Sequence, residues 1–246
     1  MGQPKVTTQP EQKRTKNFNE VSLGYPKKLA VEEARRCPQC SDPVCMKGCP
    51  IGIDIPGFIR HLREGNVSEA YDRIREANPL PSVCGRICSA PCEAACILTE
   101  ENAPIGIRAL ERYAADFGRS RSASKTAGQR GKKIAVIGSG PAGLAAAWEL
   151  ARQGFAVTIF ESLDRAGGVL RYGIPDFRIP RKVIDGEINE ILALGVELRT
   201  NAFIGQTMTL AELLEEGYSA VLVATGAGVP KFMELAGANL GGVYYG

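Results

Sequence analysis

Eight cysteines fall between positions 37 and 96 in two groups, Cys37-x2-Cys40-x4-Cys45-x3-Cys49-Pro50 and Cys84-x3-Cys88-x3-Cys92-x3-Cys96, and none follows. Three chemistries use cysteine in this density. Four disulfides need an oxidising compartment, and the polar stretch from Met1 to Glu20 carries no apolar signal-peptide core. Tetrahedral zinc usually draws its sulfurs from paired Cys-x2-Cys hooks, and only Cys37 and Cys40 have that spacing. Iron–sulfur cubanes remain. The bacterial ferredoxin run Cys-x2-Cys-x2-Cys-x3-Cys-Pro sends its fourth cysteine to a second cluster, and the first group matches that run with two residues added in the middle, down to Pro50. Two interleaved [4Fe-4S] clusters follow: Cys37, Cys40 and Cys45 hold one with a fourth ligand from the second group, while Cys49 reaches across to the other. Gly48 and Pro50 are expected to keep the backbone close and non-helical, with amide N–H groups free to face sulfides. Eight cysteines fill eight positions, or one is spare; the spacing leaves both open. His61, the single histidine, sits among Arg60 and Arg63 on a predicted helix and reads as solvated rather than as a ligand.

The second chemical signal is Gly138-Ser139-Gly140-Pro141-Ala142-Gly143. It follows an apolar run, Ile134-Ala-Val-Ile137, opens a helix of small residues, and is answered by Glu161, eighteen residues after Gly143, at the end of the next apolar run. That context is the dinucleotide fingerprint. Gly138 allows the tight turn, Gly140 admits a pyrophosphate to the helix N-terminus, and Gly143 permits close helix–strand contact. A carboxylate at Glu161 hydrogen-bonds a ribose 2′-hydroxyl and repels a 2′-phosphate, so the site should take FAD or NAD and reject NADP. Gly167 and Gly168, with Val169 and Leu170, offer a second close backbone approach that favours a long dinucleotide such as FAD. Thr225 and Gly226 close a later strand at the same edge. The stretch from Arg171 to Pro180 either faces a flavin ring, through groups such as Arg171, Ile174 and Pro175, or forms an ordered loop; the residues do not choose.

These side chains need two kinds of scaffold. The cysteine region shows three-to-four apolar spacing over residues 55–63 and 68–77, and Pro104 fits the first turn of a further helix through Leu110 and Tyr113. From Lys133 onward the period changes. Short β-branched runs at 133–138, 156–161 and 219–225 alternate with helical stretches around 144–153, 183–194 and 210–216, the last opened by a Thr209-x-x-Glu212 capping box. Alternation of this kind predicts a doubly wound parallel sheet. The organisation expected is a helical iron–sulfur domain over 1–118, a basic, small-residue linker over 119–132, and a partial α/β Rossmann-like FAD domain of disulfide-reductase type over 133–246. The composition, 44% hydrophobic and 23% charged, excludes disorder for most of the chain. A net charge of +3 gives no case for nucleic acid, and no apolar run reaches transmembrane length. A cytoplasmic location is expected.

The cysteine groups, the Ile53-Asp-Ile-Pro56 and Asn78-Pro-Leu-Pro81 segments, the glycine fingerprint and Gly173-Ile-Pro-x-Phe-Arg-Ile-Pro180 together resemble the small (beta) subunit family of NADPH-dependent glutamate synthase. The relatives of that family include the large subunit of NADH-dependent ferredoxin:NADP oxidoreductase, sulfide dehydrogenase and the amino-terminal half of dihydropyrimidine dehydrogenase. The likeness runs from about Lys16, and Lys16–Tyr25 is closer to the ferredoxin:NADP oxidoreductase branch. The resemblance implies one cluster on Cys37, Cys40, Cys45 and Cys96. It implies a second on Cys49, Cys88, Cys92 and a non-cysteine ligand at Glu111, leaving Cys84 spare, or as the alternative ligand. It also implies FAD, a partner redox subunit, and NADPH bound by a second glycine-rich domain that is not in this sequence. The chain is therefore expected to be a fragment, or a short form completed by a partner. Glutamate formation from glutamine and 2-oxoglutarate is the implied end reaction. A subunit of NADH-dependent ferredoxin:NADP oxidoreductase or of sulfide dehydrogenase, or a non-catalytic electron-transfer and docking module, are the alternatives; homo-oligomerisation is left open.

Overall fold

A computed structural model describes residues 2–101, 103–119, 131–228 and 234–244. Most of the basic linker lies outside the described residues.

The cysteine-bearing part is built from short helices. After a small antiparallel pair, β1 (Thr7–Thr8) and β2 (Ser22–Gly24), with α1 (Glu11–Arg14) between them, come α2 (Lys27–Arg36), α3 (Val44–Lys47), α4 (Ile55–Glu64), α5 (Val67–Arg75), α6 (Pro81–Ile87), α7 (Pro91–Ala94) and α8 (Ile107–Phe117). Asp54 caps α4 by accepting from the Gly57 N–H at 3.0 Å, and Gly65 ends it at φ +86°. The apolar faces of α2, α4, α5 and α8 meet in one core containing Phe58, Ile59, Leu62, Ile74 and Leu110. Pro104 does not enter a helix: α8 starts at Ile107 behind Gly106, and the proline lies in the segment before it, outside any helix or strand. His61 is half-buried rather than freely solvated, and its Nδ1 is enclosed without a hydrogen-bond partner among the described residues.

The remainder is a parallel sheet with covering helices: β3 (Lys133–Ile137), α9 (Pro141–Arg152), β4 (Ala156–Phe160), α10 (Val169–Tyr172), α11 (Arg181–Leu192), β5 (Glu197–Arg199), α12 (Leu210–Glu215) and β6 (Tyr218–Val223). The strand order is β5-β4-β3-β6, all neighbours parallel, with Ile137 level with Phe160 and Val223. Strands β3 and β4 are buried after their first residue, as continuous apolar runs covered on both faces should be. The predicted strands and helices appear within one to three residues, and Thr209 and Glu212 form the capping box.

The two parts share packing. Leu80 and Val83 of the α6 segment join a core with Val136, Leu144, Trp148 and Ile188. Trp148 on α9 lies under two guanidinium groups, Arg152 at 4.2 Å and Arg75 of α5 at 5.5 Å from the ring centre. The Tyr71 hydroxyl donates to Glu190 of α11 at 2.6 Å. No helix among the described residues is long and apolar enough to cross a membrane.

Candidate functional site

Three cysteines of the first group and one of the second surround an apolar cavity. Cys37, Cys40, Cys45 and Cys96 line it together with Ile55, Ile59, Ile105 and Ile107. Cys37 ends α2 and Cys45 rides on α3, so two helix termini aim sulfur at one space. Buried Glu33 fixes the far wall: it accepts from the Gly106 N–H at 2.7 Å and pairs with Arg36, whose second Nη donates to the Ala103 carbonyl at 2.6 Å. Burial, with Cys37 and Cys96 nearby, pushes the Cys45 thiol up to about 11. Such sulfurs stay protonated until a cation takes the place of the proton.

The second group gathers around α6, α7 and α8. Gly85 lets α6 and α8 touch, since a Cβ there would lie 2.6 Å from the Arg112 backbone. Gly48 does the same for α3 and α7: its Cβ would meet Ala95 at 2.8 Å and the Cys92 Cα at 3.3 Å. That is the role of Gly48. Its N–H is not free for a sulfide but donates to the Val44 carbonyl at 3.0 Å. Burial, then the charges of Glu93, Cys49 and Glu111, pushes the Cys92 thiol up to about 12. Glu111 is buried, accepts from Asn78 Nδ2 at 2.7 Å, and is held at about 8, with burial the first cause and Glu187 adding to it. Cys84 lies 3.7 Å from Asn78 Oδ1, and burial followed by Glu111 pushes it up to about 12.

No group of three or more Cys, His, Asp or Glu side chains among the described residues is arranged to hold a single metal ion. Around one zinc the sulfurs would stand about 3.8 Å apart, given Zn–S bonds of about 2.3 Å. A cubane attaches its ligands to four different irons and spreads them wider. The donors around the cavity, four thiols in an apolar shell, match the donor number and type that a cubane takes.

At the C-terminal edge of the sheet the glycines behave as a cradle. Gly138 sits at φ +101°, where a Cβ would strike the Ala224 carbonyl oxygen at 2.4 Å, and a Cβ on Gly143 would lie 1.9 Å from the Gly138 carbonyl oxygen. Gly140, by contrast, faces open space, the N-cap of α9. Gly168, at φ +50°, comes so near that its Cβ would lie 2.8 Å from the Gly140 Cα. Pro141 and Ala142 are exposed at the start of α9. Glu161 is buried beneath this turn and accepts from the Ser139 N–H (3.0 Å), the Ser139 hydroxyl, the Leu163 N–H (2.9 Å) and the Ser162 hydroxyl (3.2 Å). Burial alone would raise its pKa, but these donors outweigh it and hold the carboxyl below its ordinary value. The Gly167 N–H donates to the Ser139 hydroxyl at 3.1 Å, tying the second glycine pair to the first.

The other predicted residues divide. Val169 is exposed beside the cradle, whereas Arg171 turns inward, donating from Nε to the Ala166 carbonyl at 2.7 Å and pairing with Asp185. The carbonyls of Ile174 and Pro175 serve the fold, the first accepting from Arg181 and the second from the Arg178 and Ile179 N–H groups. Thr225 and Gly226 are exposed just beyond β6. The sequence reading missed Glu187. This fully buried α11 carboxylate accepts from the Ser82 and Val83 N–H groups at the start of α6. Its only signal was an acid on an otherwise apolar helix face.

Residues 14–123 match the family model described as dihydropyrimidine dehydrogenase domain II, 4Fe-4S cluster, and residues 136–183 match that of an NAD(P)-binding Rossmann-like domain. The fold and site thus define an iron–sulfur domain followed by a Rossmann-like domain. The glutamate synthase [NADPH] small chain of Mycobacterium tuberculosis is 36% identical over 237 residues, which are 94% of this chain and 48% of that one. The NAD-dependent dihydropyrimidine dehydrogenase subunit PreT of Escherichia coli K12 is 39% identical over 87% of this chain and 54% of its own. The NADP(+)-dependent formate dehydrogenase subunit beta of Moorella thermoacetica is 38% identical over 80% and 31%. A solved structure of Mycobacterium tuberculosis FprA in complex with NADPH aligns with 46% of this chain and 27% of its own, at 27% identity and a TM-score of 0.41. The chain is similar to these relatives over most of its own length, and it carries matches to an iron–sulfur domain model and an NAD(P)-binding Rossmann-like domain model. It spans about half or less of the length of the curated relatives it matches.

Proposed function

We propose that this chain is the cluster- and flavin-binding part of an oxidoreductase subunit of the glutamate synthase small-chain type, passing electrons between NADPH and a partner redox subunit. The observation that carries the proposal is the coexistence, in one packed unit, of the four-thiol cavity and the Gly138–Gly140–Gly168 cradle. Residues 1–118 hold two [4Fe-4S] clusters, one on Cys37, Cys40, Cys45 and Cys96 and the other on Cys49, Cys88, Cys92 and Glu111. Residues 119–132 connect them to a dinucleotide domain over 133–246.

The bound dinucleotide is FAD. Open space at Gly140, the N-terminal N–H groups of α9 and the second backbone approach at Gly168 suit a pyrophosphate. An ionised Glu161 suits ribose hydroxyls and opposes a 2′-phosphate. Flavin, when bound, accepts a hydride and releases its electrons singly. The residues here bind and orient it, while the cysteines would hold the clusters that supply one-electron sites within the same packed unit. NADPH reaches it through a domain outside this sequence, and the partner supplies the acceptor site, where glutamate forms from glutamine and 2-oxoglutarate. The setting is the cytoplasm, where thiols stay reduced.

The test is anaerobic purification with measurement of iron, acid-labile sulfide, zinc and flavin per chain. About eight iron and eight sulfide, with one FAD, are expected for two cubanes. Zinc in place of iron overturns the proposal, and iron without FAD overturns its flavin half.

A further inference from the structure

The Asn78-Pro-Leu-Pro81 segment has no part in the chemistry assigned so far, yet Asn78 is 1% exposed and every polar atom of its side chain is engaged. Its Oδ1 accepts from the Leu80 N–H at 2.9 Å, closing the turn that leads into α6. The same oxygen stands 3.7 Å from the Cys84 sulfur, within reach of its S–H. Its Nδ2 donates to Glu111 Oε1 at 2.7 Å. One amide therefore holds both groups that compete for the last place at the second cluster. Cys84 on α6 lies one helical turn before Cys88, the residue that ends the helix and donates its N–H to the Cys84 carbonyl at 3.0 Å. The close α6–α8 contact at Gly85 brings that turn to Glu111.

We infer that Asn78 is the positioning residue that selects the Glu111 oxygen over the Cys84 sulfur as the fourth ligand of the second cluster. The carbonyl end ties the thiol back toward the Leu80 turn, and the amide end steadies one carboxylate oxygen while leaving the other for iron. Carboxylate is a harder donor than thiolate, so this choice sets the electronic character of the cluster. With the amide removed, the Cys84 sulfur would be free to serve as the fourth ligand in place of Glu111, giving its proton to that carboxylate or to water. Pro79 and Pro81 stiffen the turn, and Pro81, without an N–H, leaves no unpaired donor where α6 begins.

The inference rests on the two-cluster proposal, and the experiment separates the two. The full chain, purified without air, is assayed for iron and sulfide and examined by electron paramagnetic resonance after reduction. If wild type carries zinc or no cluster, the two-cluster proposal itself fails. With two clusters present, Glu111→Gln is expected to lose the second and keep about four iron. Asn78→Leu combined with Glu111→Gln is expected to recover about eight, and a further Cys84→Ser to lose them again. Asn78→Leu alone should keep eight iron but change the second cluster's spectrum, while Cys84→Ser alone should change nothing. The first cluster's signal serves as the internal control for folding. Asn78→Ala, which removes both ends of the amide with less bulk, gives the same spectral change if Asn78→Leu does not fold. Failure of the Asn78→Leu, Glu111→Gln double variant to recover iron, or loss of the second cluster in Cys84→Ser alone, overturns the inference.

Discussion

The Ser82 backbone N–H donates to Glu187 Oε1 at 2.5 Å, and the Val83 N–H reaches Oε2 of the same carboxylate at 3.3 Å. A side chain of the nucleotide domain thus caps the helix that leads to Cys88. Burial raises Glu187 from 4.5 to about 7, against the opposing pull of its hydrogen bonds and Arg119. A raised acid binds its proton more tightly folded than unfolded. Its stabilising effect is complete below pH 4.5 and is lost as the pH climbs through about 7.

Thermal melts between about pH 5 and pH 8 should therefore show wild type losing stability relative to Glu187→Gln, by up to about 3 kcal/mol across the range. A difference between the two proteins that does not vary with pH would show that Glu187 does not titrate in this window.

Gly143→Ala and Gly140→Ala should part company. The first places a methyl 1.9 Å from the Gly138 carbonyl oxygen and should cost about 1–3 kcal/mol or more. The second meets nothing and should melt within about 0.5 kcal/mol of wild type, yet retain at least about tenfold less flavin, since its methyl occupies the space assigned to pyrophosphate. Flavin content and melting temperature on the same samples check both, and undiminished flavin in Gly140→Ala would move the pyrophosphate elsewhere.

Glu161→Gln replaces an ionised acceptor of four hydrogen bonds by a half-donor. Loss of about 1–3 kcal/mol is expected, along with weaker flavin retention. Circular-dichroism melts and flavin titration provide the readout, and an unchanged melt would mean that the Ser139 turn stands without its carboxylate.

Cys96→Ser removes a wall of the apolar cavity and should release about four iron, leaving the second cluster's signal. Loss of both signals would show that the two sites do not load independently.

The strands from Lys133, the glycine turn and its acid were legible because each is local: a periodicity, a φ only glycine adopts easily, a residue at a fixed distance. The cavity lined by Cys37, Cys40, Cys45 and Cys96 could be glimpsed from spacing only as three cysteines of the first group with an unspecified partner from the second. Glu187 and Asn78 could not be assigned roles that way, because what they do is created by packing α11 and α8 against α6, partners 105 and 33 residues distant. The exchange of Gly48 from sulfide donor to helix-contact residue has the same origin. Its neighbour, Ala95, enters only through the tertiary fold. Strand β5, three residues long with charged ends, carries too little pattern to stand out, and it exists because β4 offers it an edge.

Trp148 is the chain's single tryptophan, and it lies between Arg152 of its own helix and Arg75 of the cysteine-bearing part. The protein's long-wavelength ultraviolet emission therefore originates at the seam between its two halves. Parting of the halves would withdraw one guanidinium from the indole and wet its ring, shifting the emission before either half melts. The molecule thus contains an optical gauge of its own assembly, readable without a label.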